Sequence, residues 1–206
     1  MTERTAATRL GLLRTRRRLE RVERGIDMLR HKREALVAEL FRAARPAVEA
    51  RRRVAEAAAE AHRALFGALA AHGADGVRAL GWPPRDLTVD IDTGHVWGVA
   101  VPRVVDAPPL FRALAARGVA PGAAGPSAVT AARGYERLID LIVAAAPHEL
   151  LLAGLGRALA RTSRQESTLD RRVAPDLRGR IRSIAAMLSE REREDQARLR
   201  HLRRRR

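Results

Sequence analysis

One stripe constrains this chain more than any other feature. Stepping from Leu19 in alternating threes and fours meets Leu19, Val22, Ile26, Leu29, Arg33, Leu36 and Leu40, then only alanines and one valine as far as Ala68. Arg33 is its sole polar member. A face this narrow is buried only against another helix, so the pattern predicts one side of a coiled coil. Unbroken, residues 19–68 would run about 75 Å at 1.5 Å per residue. Pro46 removes a backbone hydrogen bond inside this run and predicts a bend, while Gly25 is a milder interruption.

The partner is found near the other end. Helical pattern resumes at Tyr135, and "VAPDLRGRIRSIAAMLSEREREDQARLRHLRRRR" restores the seam through Leu177, Ile181, Ile184 and Leu188. Two such helices separated by an insertion fold back antiparallel, each burying the other's stripe. The expected fold class is therefore mainly α: a long antiparallel two-helix coiled coil with a small β-hairpin-containing insertion between the helices. The corresponding boundaries are 1–72 for the first helix, 73–128 for the insertion and 129–206 for the second.

Gly and Pro recur through the insertion, and "AAHGADG" at residues 70–76 is expected to end the first helix. Within it, "LTVDIDTGHVWGVAVPRVV" alternates apolar and polar residues, predicting strands on either side of a turn at Asp92-Thr93-Gly94. Pro102 confines the second strand to an edge or ends it. Trp82 and Trp97 both lie here and are expected to anchor the hairpin by local packing. "APGAAGP" at residues 120–126 reads as a flexible return loop.

Charge narrows the choice of partner. A formal net charge of +16 favours an anionic surface, although only Lys32 among the 40 basic residues is lysine, a bias that GC-rich coding also produces. Residues 1–18 hold six arginines and one glutamate, net +5, and residues 190–206 hold eight arginines against three glutamates and one aspartate, net +4. Antiparallel folding brings these ends together. Arg14, Arg16, Arg17, Arg198, Arg200 and Arg203 are then expected to form one basic tip, with "EREREDQAR" as a solvated helix face carrying i, i+4 pairs.

Aromatic residues make up only 3%, which suits thin helix-helix seams, and there is no cysteine for a disulfide or thiolate metal site. The opening "MTERTAATRLGLLRTRRRLE" lacks an apolar signal core, and no window approaches about 18 uninterrupted apolar residues. A chain without a membrane span is expected. No GxxxxGK[ST] loop occurs, the six histidines are dispersed without metal-ligand spacing, and no serine stands in a nucleophile-elbow context. Neither catalysis, cofactor nor metal is expected of this chain. A basic coiled coil that binds nucleic acid, or a plain scaffold, remains the alternative.

Three blocks carry a resemblance. "TRLGLLRTRRRLERVERGIDMLRHKREALVAELF", "VWGVAVPRV" and "RIRSIAAMLSEREREDQARLRHLR" occur in the order in which similar blocks occur in the D subunits of the V-type and archaeal-type rotary ATPases. The chain resembles that family over nearly its whole length. Where the family pattern runs close to T-x-R-R-V-N-A-L-E, this sequence has "TSRQESTLD" at residues 162–170: Arg164, Leu169 and Pro175 fit, whereas Gln165, Glu166 and Ser167 depart. Pro46 and Pro147 are also unusual for the family.

The resemblance implies a non-catalytic rotor shaft. Its helical termini would enter a hexamer of catalytic A and B subunits, it would share the central stalk with the small F subunit, and a funnel-shaped subunit on the membrane ring would receive its other end. Rotation would couple ATP hydrolysis or synthesis to proton or sodium transport, with the shaft cytoplasmic and membrane association only through the complex. No direct contact with nucleic acid is implied, and the arginines named above would form the rotor tip.

Overall fold

The computed structural model describes residues 8–79, 88–106, 108–113, 116 and 125–204. Helix α1 runs Arg9–Ala79, strands β1 and β2 cover Asp90–Val96 and Val99–Asp106, helix α2 covers Pro126–Thr168, a π-helical turn covers Leu169–Val173 and helix α3 covers Ala174–Arg204. The fold is mainly α, a long antiparallel two-helix coiled coil with a small hairpin between the helices.

Local chemistry sets these limits. Thr8 caps α1, its hydroxyl accepting the Gly11 N–H at 3.0 Å. Pro46 does not interrupt α1: its dihedrals stay helical and its ring is exposed. The break falls instead at Gly73, where φ 67 and ψ 177 are open only to glycine, and a short helical segment follows to Ala79, beyond the expected end. Pro126 opens α2 nine residues before Tyr135, at the first helical position where a missing N–H costs nothing.

Two compact units divide the chain, one made of Met1–Ala35 with Leu159–Arg206, the other of Leu36–Ala158. In the first, α1 runs antiparallel to α3 and to the C-terminal end of α2, as the ion pairs record. Arg9 meets Glu192 at 2.8 Å, Glu23 meets Arg178 at 2.7 Å and Arg33 meets Glu166 at 2.9 Å, so each step up α1 is a step down its partner. Ile26, Ala174, Leu177 and Ile184 are buried here.

The second unit pairs α1 with α2, also antiparallel. Arg51 forks onto Glu149, Glu60 faces Arg137 at 3.9 Å, and His72 shares a hydrogen bond with Ser127 at 3.0 Å. Its seam is built of small residues: Ala57 and Ala61 pack with Leu138, and Ala68 with Ala128 and Ala131. Leu36 and Leu155 are its large buried side chains.

The hairpin differs from expectation in its turn. Asp92, Thr93 and Gly94 lie inside β1, paired with Arg103, Pro102 and Val101, and the chain reverses at Trp97-Gly98. Both turn residues have positive φ, 52 and 74, the twist that joins two antiparallel strands with only two residues. Trp97 thus stands at the tip, 57% exposed, where core packing had been expected; Trp82 lies outside the described residues. Pro102 does not end β2. Counting from the hydrogen-bonded Val96–Val99 pair, it falls at a position whose N–H points away from β1, and each strand of a two-stranded sheet is an edge. Of the return loop, residues 120–124 lie outside the described residues.

Gly154 fixes where the hairpin meets α2. A Cβ built there would stand 3.0 Å from Val99 Cγ1, so a larger residue would require the Val99 side chain to give way by a few tenths of an ångström.

Candidate functional site

The seam residues of the first unit are not equally covered. Ile26, Leu177 and Ile184 are buried, whereas Leu19, Val22, Leu29, Ile181 and Leu188 are half-buried. In the second unit Leu36 is fully buried and Leu40 half-buried. Leu19 and Ile181 border a shallow apolar recess with Pro175, Arg178 and Arg182.

Arg33, the polar interruption of the stripe, finds its partner in Glu166. Its Nη1 donates to Oε2 at 2.9 Å, and Arg30 Nε donates to Oε1 at 3.3 Å. Glu166 is 8% exposed, the most buried carboxylate among the described residues of the first unit. Arg30 also lies 3.6 Å from Asp170 and 3.5 Å from Asp27.

The π-helical turn repairs a phase error. Thr162 and Glu166 are buried, and continuing their spacing through Leu169 and Val173 would place the seam at residues 176, 180, 183 and 187. The seam of α3 lies one residue later, at Leu177, Ile181, Ile184 and Leu188. Residues Leu169–Val173 absorb that extra residue, the Ala174 N–H reaching back five residues to the Leu169 carbonyl. Leu169 itself packs beside Gly25, where a Cβ would lie 3.9 Å from its Cδ1.

The basic residues occupy both chain ends of the first unit. Arg14, Arg16 and Arg17 are exposed on α1, and Arg198, Arg200 and Arg203 on α3. Register separates the two sets. With Arg9 opposite Glu192, Arg198 lies six residues beyond the pair, about 9 Å along the helix, while Arg14 lies on its other side. Arg198 is neutralised locally by Glu194 at 3.9 Å and Asp195 at 4.0 Å, and Arg193 by Glu190 at 3.4 Å.

Charge alone understates this surface. Leu10 and Leu13 on α1, with Leu199 and Leu202 on α3, are each more than half exposed between the arginines. Sequence reading passed over these leucines because the flanking arginines dominated; the signal for Leu10, Leu13 and Leu199 is that they fall outside the seam phase.

Ion pairs in the second unit shift the acids they hold. Hydrogen bonds from Arg51 keep the Glu149 carboxyl below the usual glutamate value, burial opposing slightly, and Arg52 does the same for Glu49. The helical stretch Pro126–Arg204 contains one 18-residue window apolar enough, by length and composition, to cross a membrane. It is nonetheless interrupted by Asp140, Pro147, His148 and the Arg51-bound Glu149. Among the described residues no three His, Asp or Glu side chains converge as a metal site would require.

Comparison with known proteins agrees with this geometry. Residues 11–204 match the family of ATP synthase D subunits. The chain is 41% identical over 201 residues to the D subunit of a V-type ATP synthase from Anaeromyxobacter dehalogenans, covering 97% of this chain and 96% of that one. It is 37% identical over 199 residues to that of Thermus thermophilus, covering 95% and 86%, and 30% identical over 188 residues to that of Deinococcus radiodurans, covering 91% and 82%. Matched along nearly its whole length and built as antiparallel paired helices with a hairpin between them, the chain belongs to the ATP synthase D-subunit family and is a subunit of a V-type rotary ATPase.

Proposed function

We propose that this chain is the non-catalytic shaft of the central stalk, turning with the rotor and coupling ATP hydrolysis or synthesis in an A/B hexamer to proton or sodium transport. The observation that carries this reading is the helix pairing of a D-subunit family member. In each unit two helices run antiparallel and are tied by ion pairs such as Arg178–Glu23 and Arg51–Glu149, cross-links that resist twisting of one helix against the other. A part that transmits torque needs that resistance.

The exposed arginines and leucines of the first unit suit insertion into an acidic sleeve. Long flexible cations attract such a wall without fixing one angle against it, and scattered leucines add contact without forming a plug. The small F subunit of the stalk and the funnel-shaped subunit on the membrane ring are the remaining partners, with the chain cytoplasmic and peripheral to the membrane.

Affinity purification from gently solubilised cells, with stoichiometry read by native mass spectrometry, tests the reading. One copy per catalytic hexamer, together with the small stalk subunit and the ring, is the expected result. A monomer carrying nuclease-sensitive nucleic acid would replace the shaft with a nucleic-acid-binding coiled coil. Deleting residues 199–206 is expected to weaken binding to the hexamer while leaving the melting temperature unchanged. Unaltered affinity would remove the arginine-rich end from the interface.

A further inference from the structure

A coiled coil of apolar knobs has a weakness that this chain answers in one place. Leucine, isoleucine and alanine accept one another at several alignments, so a seam built from them alone is prone to axial slip. Along the stripe from Leu19 to Ala68 only Arg33 is polar, and opposite it stands the buried Glu166. We infer that Glu166, held by Arg33 and Arg30, is the register lock of the first unit, permitting a single alignment of α1 against the helix carrying Glu166.

Geometry makes the lock selective. The Glu166 carboxylate spends both oxygens, Oε2 on Arg33 Nη1 at 2.9 Å and Oε1 on Arg30 Nε at 3.3 Å. Arg30 and Arg33 sit three residues apart and so offer one fork on one helix face. A slip of a turn or a heptad toward the N-terminus of α1 carries the carboxylate to Leu29 or Ile26, away from the paired arginines. The penalty for misalignment falls on the buried carboxylate, which loses its cations, even if the aligned pair with its half-exposed arginines itself adds little stability.

Two neighbouring features sharpen the setting. Arg30 continues to Asp170 at 3.6 Å, so a second carboxylate on the partner helix reads the same arginine. One turn beyond Glu166 the π-helical turn begins, its Leu169 seated against Gly25. Slip would drive that side chain onto the flanking larger residues. The lock rests on this chain's own residues and does not require the shaft reading.

Distance measurement between spin labels reads alignment directly. The chain contains no cysteine, so labels attach only at introduced Arg24→Cys and Ser189→Cys, both exposed and both in the first unit. In the otherwise unaltered full-length chain a single narrow distance distribution is expected. With Glu166→Val and Arg33→Leu together, which removes the charges and keeps an apolar seam, the distribution is expected to broaden or split, with components displaced by about 5 or 10 Å for slips of a turn or a heptad. The exchange Glu166→Arg with Arg33→Glu is expected to restore one population if Arg30 is also changed to Gln, which sets no further carboxylate beside Asp27 and Asp170. An unchanged narrow distribution in the apolar double variant would overturn the lock, because packing alone would then set the register. Failure of the charge-exchanged variant to recover a single distance while remaining helical would overturn it equally.

Discussion

The two units solve one packing problem with opposite materials. In the first, Ile26, Leu177 and Ile184 fill the space between helices, and the buried Glu166 with its half-exposed partners Arg30 and Arg33 punctuates them. In the second, Ala57, Ala61, Ala68, Ala128 and Ala131 hold the seam, and the helices approach until a Cβ at Gly134 would stand 3.2 Å from Ala61 Cα. Large knobs keep helices apart and gain by transfer of apolar surface from water; small knobs gain by close backbone approach and dispersion. The same mutation type should therefore act differently in each.

Charge inserted into either seam has the largest effect. Leu36→Asp, at a fully buried position, is expected to cost several kcal/mol, and Leu29→Asp and Ile181→Asp somewhat less because both sites are half-buried. Thermal melts matching the parent would show those positions to be solvated.

Truncation separates the units. Ile184→Ala in the first should cost about 2–4 kcal/mol in transfer and cavity terms. In the second the damaging change is enlargement: Gly134→Val, which drives a side chain into the Ala61 backbone, should cost about 1–3 kcal/mol. If denaturant titration finds Gly134→Val neutral, the close approach is not what holds the alanine seam together.

Smaller effects fall on the hairpin and the surface pairs. Trp97→Asn relieves a bulky residue at φ 52 and should stabilise the turn by about 1 kcal/mol, visible as slower amide exchange in β1 and β2. Smallest of all is the Arg51–Glu149 pair. The Glu149 carboxyl is held below its ordinary value, so its contribution is present above about pH 4.5 and disappears as pH falls through the lowered native value. Melts of Glu149→Gln and the parent should differ slightly at neutral pH and converge in acid; a gap that persists in acid would contradict this sign.

Periodicity made the helices legible. The stripe from Leu19 and its counterpart at Leu177, Ile181, Ile184 and Leu188 are repeats of position, and position is written in sequence. What escaped depended on conformation or distant pairing. The turn at Trp97-Gly98 was hidden because Asp92-Thr93-Gly94 has better turn composition, and only the backbone twist of the strands favours two positive φ values beside a tryptophan. Arg33 looked like a flaw because Glu166 lies 133 residues away. Pro46 reads as an interruption, yet the helical dihedrals continue through it and break only at Gly73.

The π-helical turn has a genetic corollary. An α-helix with one surplus residue must either rotate everything downstream by about 100° or store the surplus in a wider loop of backbone, and Leu169–Val173 stores it. Chain length is therefore negotiable there. Loss of a single codon at Arg171, an exposed position, would turn the wide loop into ordinary α-helix and leave Leu177, Ile181 and Ile184 facing the seam. The same loss at Ala186 would swing Leu188 and every residue after it off its face. Within this pair of helices, one short stretch can record insertions and deletions that the surrounding turns would reject.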